Sequence, residues 1–278
     1  MRADRLKRWA KKALIQVIPL FLISAFVGVV ELEAQSNNTE VEGGVNYRHL
    51  TNSLPPWTGS YLRMILKTGN RDTWYFEGLR QREFNDTGAY FSAADSHVIN
   101  NDWYWFTAVG SSSGGFYFPA VRVDSQLNRK WLAKRNFVTS IGGGYFKAKD
   151  AHRDSSVSVG GIYYFEAPWI VQGGVRWNRS MPGEVFSRSQ FIALSQGRET
   201  QHFIVIRAET GREAYQALAP GKVLVDFPSH DVSVSLKQWV GKDWGFNIGV
   251  EYYNSHVYQR TGATVKPYCG TAPSRNYR

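Results

Sequence analysis

One cysteine in 278 residues, Cys269, excludes an internal disulfide framework. No cysteine follows the apolar segment near the N-terminus, which excludes a lipoprotein anchor. No basic run with interleaved aromatics is present, so nucleic acid is not a partner. His49, His97, His152, His202 and His256 show no His-x-x-x-His spacing, and the sequence calls for no metal and no cofactor. Also missing are a helical stretch after residue 40 and any continuous apolar run of the kind a soluble sandwich buries.

What is there instead is alternation. From Glu40 to about Lys266 apolar and polar residues exchange in short segments split by turns. In Asp231–Val240, Val232, Val234, Leu236 and Val240 share one parity, and Asp231, Ser233, Ser235 and Lys237 the other. Period two means a strand with one apolar face. A sheet that closes on itself, apolar outside and polar inside, needs only this alternation. The expected fold is all-β, a transmembrane antiparallel up-and-down barrel. Aromatics at 15%, with 15 Tyr and 10 Trp, suit interfacial girdles.

Residues 1–34 read as a signal peptide. Six Lys/Arg precede the apolar segment Ala13–Val30, and Ala34 offers a small residue for cleavage. An uncleaved inner-membrane anchor is the alternative, and Pro19 weakens it. Removing the leader's six basic and three acidic residues from 33 and 23 leaves 27 and 20, net +7. That charge suits anionic lipid headgroups or anionic polymers.

Fourteen strands are expected, near 40–50, 57–67, 72–84, 89–99, 102–110, 116–130, 137–147, 155–165, 169–179, 186–198, 202–213, 230–240, 244–253 and 258–266. Twelve or sixteen result if one hairpin is misread. Connections after even strands read as shorter than several after odd ones, the pattern of periplasmic turns and outer loops. This puts the N-terminus in the periplasm. The longest loop, Ala214–Ser229, is the expected lid or constriction. Alternation stops near Val265, where Lys266-Pro267 follows. The barrel is therefore expected over 35–265, with 266–278 an atypical tail that leaves the closing seam weak.

Three stretches carry a family resemblance: GGVRWNRSMPGEVFSRS (Gly173–Ser189), GREAYQ (Gly211–Gln216) and VDFPSHDVSVSLKQWVGKDWGFN (Val225–Asn247). With GIYYFEAPW (Gly161–Trp169) they resemble the YaiO family of outer-membrane β-barrel proteins, over most of the chain after residue 40 and most strongly from Phe137 to Tyr253. The resemblance implies the bacterial outer membrane and a link to exopolysaccharide synthesis or export. It supplies no catalytic residues.

Parity assigns faces. A lipid-facing Arg or Lys near mid-membrane costs about 2–4 kcal/mol, so the polar set should face the lumen. The lumen-lining candidates are Arg63, Lys67, Gln172, Arg176, Asn178, Arg207, Glu209, Lys237, Asn247 and Glu251. They either pair internally, with Glu77 as a further carboxylate, or line a path for an anionic or sugar solute. Ser229-His230-Asp231 tempts as a hydrolytic triad, but strand neighbours point to opposite faces. The reading is a monomeric, non-enzymatic barrel whose partners are outer-membrane lipid and exopolysaccharide or its export machinery. The alternatives are a narrow small-solute porin and a lipid- or glycan-modifying enzyme.

Overall fold

A computed structural model describes residues 39–198, 201–219, 222–241 and 243–270; the leader lies outside them. Alternation resolves into fourteen strands. They are β1 (Thr39–Leu50), β2 (Trp57–Thr68), β3 (Asp72–Glu83), β4 (Asp86–Val98), β5 (Trp103–Gly114), β6 (Val121–Trp131) and β7 (Phe137–Lys147). The second half holds β8 (Arg153–Tyr164), β9 (Trp169–Met181), β10 (Val185–Arg198), β11 (His202–Ala219), β12 (Lys222–Trp239), β13 (Trp244–Ser255) and β14 (Gln259–Gly270). Each pairs antiparallel with its sequence neighbours, and β1 pairs with β14 to close the barrel. Closure matters because lipid offers no partner for edge N–H and C=O groups.

Register carries one face around the ring. Arg48 pairs with Gly262, Gly262 with Glu251, Glu251 with Ser233, Ser233 with Arg207, Arg207 with Ala193 and Ala193 with Gln172. Lys237 on β12 reaches Glu40 on β1 at 2.8 Å, past two intervening strands, and only the interior permits that contact. This face is the lumen. The opposite face exposes Leu62, Ile192, Ile206, Val232, Val234, Ile248 and Val250. Trp74, Trp105, Trp131, Trp169 and Trp244 ring this outer face at the end that holds the chain termini. Tyr47, Tyr145, Trp177 and Tyr252 ring it at the other end. Two aromatic belts flanking an apolar band mark the membrane interfaces.

Two expectations change. Residues 214–219 and 222–229 are not a loop: β11 and β12 run on as paired strands with one register shift, between Ala217 and Ala219. The apparent turn signals, Pro228 and Ser229, sit inside the ladder opposite Arg212 and Gly211.

The second change is at the seam. β14 continues past Val265 to Gly270, so the strand includes residues assigned above to the tail. Pairing with β1 lapses opposite Gly43-Gly44, where Pro267 has no N–H to give, and resumes at Glu42–Tyr268, Val41–Cys269 and Glu40–Gly270. Alternation never stopped: Lys266 and Tyr268 face in, while Val265, Pro267 and Cys269 share the outer parity. Tyr268 is buried, edge-on to Trp239 at 4.7 Å, with the Lys237 ammonium 4.7 Å from its ring. The seam is thus packed from inside rather than damaged.

Replacing Tyr268 by Ala should therefore destabilise the barrel by about 3 kcal/mol, the cost of deleting a buried aromatic. A lower temperature for loss of the fast-migrating folded band on gels would show it. Cys269→Ser, one residue away on the outer face, should leave that temperature unchanged.

Candidate functional site

The lumen is crossed by two tiers of charge and capped by a hydrophobic plug. The tier at the terminus end holds Lys237 against Glu40, and Lys266 3.8 Å from Glu42, which also accepts a hydrogen bond from Tyr61 Oη. The second tier lies at the opposite end of the strands. Arg48 Nε donates to Glu251 Oε1 at 2.7 Å and Arg260 Nε donates to the same oxygen at 2.9 Å, while Arg260 sits 3.7 Å from Asp231. Arg207 meets Glu209 at 2.8 Å and lies 3.8 Å from the Phe191 ring centre.

Above that tier the interior turns apolar. Leu50, Trp57, Tyr253, Tyr258 and Leu218 are buried together, with Leu54, Phe84, Leu224 and Val257 packed on them. Leu50, Trp57 and Tyr253 come from β1, β2 and β13, Leu54, Phe84, Val257 and Tyr258 from the connections β1–β2, β3–β4 and β13–β14, and Leu218 and Leu224 from the β11–β12 hairpin. Arg260 ties plug to charge, lying 4.9 Å from the Trp57 ring and 4.6 Å from that of Tyr253.

The hairpin is what closes this mouth. On one side Leu218 and Leu224 enter the plug, and Gln216 Nε2 donates to Tyr258 Oη. On the other, Tyr215 stacks on His152 of the β7–β8 connection, ring centres 3.5 Å apart, and its Oη lies 3.3 Å from Asp150. His152 is buried and 3.1 Å from Asp154, which accepts from Ser180 Oγ. A segment fixed to both sides of the ring spans it. The neighbouring mouth is filled by the β5–β6 connection: Phe116 stacks on Phe84, Tyr117 Oη donates to the Gln81 carbonyl, and Lys149 Nζ donates to the Gly114 and Gly115 carbonyls. Desolvation there pulls the Lys149 pKa below the usual lysine value. The stretch expected to be a lid thus overhangs the opening as the paired strands of the β11–β12 hairpin.

Beneath the hairpin lies a cavity of about 410 Å³. Arg176, Asn178, Ser187, Ser189, Glu209, Asp231, Tyr253 and Arg260 line its wall, and Glu213 and Gln216 its roof. Asn178 Oδ1 and Gln216 Oε1 are buried with no hydrogen-bond partner among the described residues. Buried acceptors ordinarily find a donor, so these two are unsatisfied groups packed behind the cavity wall rather than groups presented to its interior.

The ten candidates fall as follows. Arg176, Asn178 and Glu209 meet at the cavity. Arg63 faces Glu77 at 3.5 Å, and Arg176 Nη2 donates to Ser156 Oγ at 3.0 Å. Arg207, Lys237 and Glu251 sit in the two tiers. Gln172 shares the inward register with Arg207, Asn247 pairs with Lys237 and Lys266, and Lys67 lies exposed beside the terminus-end opening. Arg48, Arg260, Asp231, Glu40 and Glu42 were missed as partners, because which strands meet across a lumen depends on closure. His230 turns outward to Thr210 Oγ1 at 2.8 Å while Asp231 turns inward, so no triad forms there. Asp72, Asp95 and His97 gather on β3 and β4, with His97 Nδ1 2.6 Å from Asp72 Oδ1, a cross-strand neighbourhood that spacing along the chain does not reveal.

A closed antiparallel sheet, apolar between two aromatic belts and charged within, defines an outer-membrane β-barrel protein. The model of the YaiO membrane beta barrel domain matches residues 38–216, and the chain belongs to that family. Among solved structures it is similar to the CymD monoaromatic hydrocarbon channel, with TM-score 0.57 and 6% identity over 86% of this chain and 90% of that one. It is also similar to the Acinetobacter baumannii outer membrane protein Omp33, with TM-score 0.51 and 6% identity over 82% and 97%. At such identities the likeness carries the fold alone. No curated protein matches the chain.

Two outcomes follow from this geometry. Glu251→Gln removes the carboxylate that two guanidiniums share, and should lower stability in urea by about 1–3 kcal/mol; adding Arg48→Gln should recover part of the loss. Replacing Ala214–Phe227 by a short turn should convert a barrel of low single-channel conductance in planar bilayers into one passing larger, salt-proportional currents.

Proposed function

We propose that this protein is a non-enzymatic outer-membrane component of surface polysaccharide biology, closed at rest by the β11–β12 hairpin and exported through a leader at residues 1–34. Its cavity would take a saccharide segment. The polar lining of the cavity carries the reading, with the side chains of Asn178 and Gln216 among it. Sugar hydroxyls both donate to and accept from such a lining. Ser187, Ser189, Arg176 and Glu209 on the same wall add complementary donors and acceptors. A hydrocarbon would leave these groups unsatisfied at a cost of about 1–3 kcal/mol each. The family resemblance to barrels that accompany sugar-polymer machinery supports the same reading.

The narrow-porin reading draws on the general likeness of the fold to channel barrels. It predicts conductance from the intact protein without any change at the hairpin. Deleting the gene and quantifying surface polysaccharide decides the main proposal. A fall that the wild-type gene restores, and that Asn178→Leu with Gln216→Leu does not, is the expected result. Unchanged polysaccharide in the deletion strain overturns it.

A further inference from the structure

The outer face carries a cationic arc that neither the lumen nor the lid uses. Lys147 on β7 pairs directly with Arg153 on β8, both on the outward parity with Tyr145, Ser155 and Val157. Arg179 on β9 pairs with Ser155, one diagonal step from Arg153. Arg188 on β10 pairs with Trp177, one diagonal step from Arg179. Residues so placed have Cα atoms about 5–8 Å apart. All four side chains are exposed.

Four cations on four consecutive strands need counter-charge. Like charges directly opposite each other destabilise a sheet. Among the described residues, Glu184 is the one carboxylate that meets the arc, at Arg179, and Arg188 has only the Gln190 amide oxygen at 3.1 Å. Lys147 and Arg153 have no ion pair among the described residues. Asp154, next in sequence, points inward to His152. The arc therefore keeps a net charge of about +3 for an external anion.

Its height selects that anion. Tyr145, Trp177 and Phe186 lie exposed beside the arc, with Arg179 5.7 Å from the Phe186 ring centre. Val157, Val159 and Val175 continue the same parity toward mid-membrane. Cations level with and just above an aromatic belt, over an apolar wall, match a molecule with acyl chains and an anionic head. The arc stands at the end opposite the chain termini, which for an even-stranded barrel with a periplasmic N-terminus is the cell surface. We propose that Lys147, Arg153, Arg179 and Arg188 bind the phosphate groups on the sugar headgroup of a phosphorylated outer-leaflet glycolipid, whose acyl chains lie on the valine face below. Guanidinium forks suit phosphate, and their hydrogen bonds to it are charge-assisted.

The test measures binding of a bisphosphorylated glycolipid to the purified full chain in nonionic detergent, by native mass spectrometry. Arg153→Gln with Arg179→Gln should weaken binding roughly tenfold. Arg80→Gln with Arg82→Gln, which removes equal charge from the outer face of β3, should not. Removing the phosphates from the glycolipid should abolish the difference between variants. Each variant is first checked for the heat-modifiable folded band, and Arg188→Gln alone carries the comparison if the double variant does not fold. Equal loss in both double variants would reduce the effect to bulk charge and overturn the proposal. Equal affinity for the dephosphorylated glycolipid, for phosphatidylglycerol, or for a soluble anionic oligosaccharide lacking acyl chains would overturn it as well.

Discussion

Everything in this protein depends on closing one sheet in lipid. An unpaired backbone group in the hydrocarbon region costs several kcal/mol, so β1 must find β14 along its length. The seam meets that demand despite a proline. Pro267 cannot donate, and the pairing lapse falls opposite Gly43-Gly44 before the ladder resumes at Tyr268. Contacts on the lumen side reinforce the same join. Lys237 to Glu40, Lys266 to Glu42 and Arg48 to Glu251 each bridge β1 to the last strands. Closure and the internal charge tiers are therefore one device, in which side chains that fill the lumen also hold the first strand to the last.

That device has a functional consequence. The lumen is braced by these ion pairs, and Leu50, Trp57, Tyr258 and Leu218 pack together inside it. The β11–β12 hairpin overhangs the ring and is held by contacts at its sides: Tyr215 on His152, Gln216 on Tyr258, Glu213 on Tyr253, Phe227 by His256, and Leu218 and Leu224 in the plug. Barrel strands are fixed by two neighbours each. Past Gly211, where pairing with β10 ends, the hairpin has only its own partner strand and these docking contacts. By hydrogen-bonded strand neighbours the distal hairpin is therefore less constrained than any strand of the barrel wall.

How much of this the sequence revealed follows from the range of each signal. Face assignment at Val232–Leu236 or Phe246–Val250 needs only period two, which is local, and the register agrees with it. Fourteen strands were likewise countable. The hairpin was misread because Pro228 and Ser229 look like turn residues; tertiary pairing overrides that preference. The alternation reads as ending at Val265 because Pro267 interrupts it on the outer parity, while Lys266 and Tyr268 belong to the inner one. The true partners of Lys237 and Glu251 were out of reach. Glu40 lies 197 residues from Lys237, and Arg48 lies 203 from Glu251; only the closed ring brings them together.

The central claim is that the hairpin lies docked across the mouth. Pulsed electron–electron spin resonance between labels at Ala151, beside His152, and Ala217, near the hairpin tip, tests it most directly, in a Cys269→Ser background reconstituted in lipid. A single narrow, short distance that broadens and lengthens on Tyr215→Ala is the predicted result. A broad, long distribution in the otherwise unaltered protein would contradict the account.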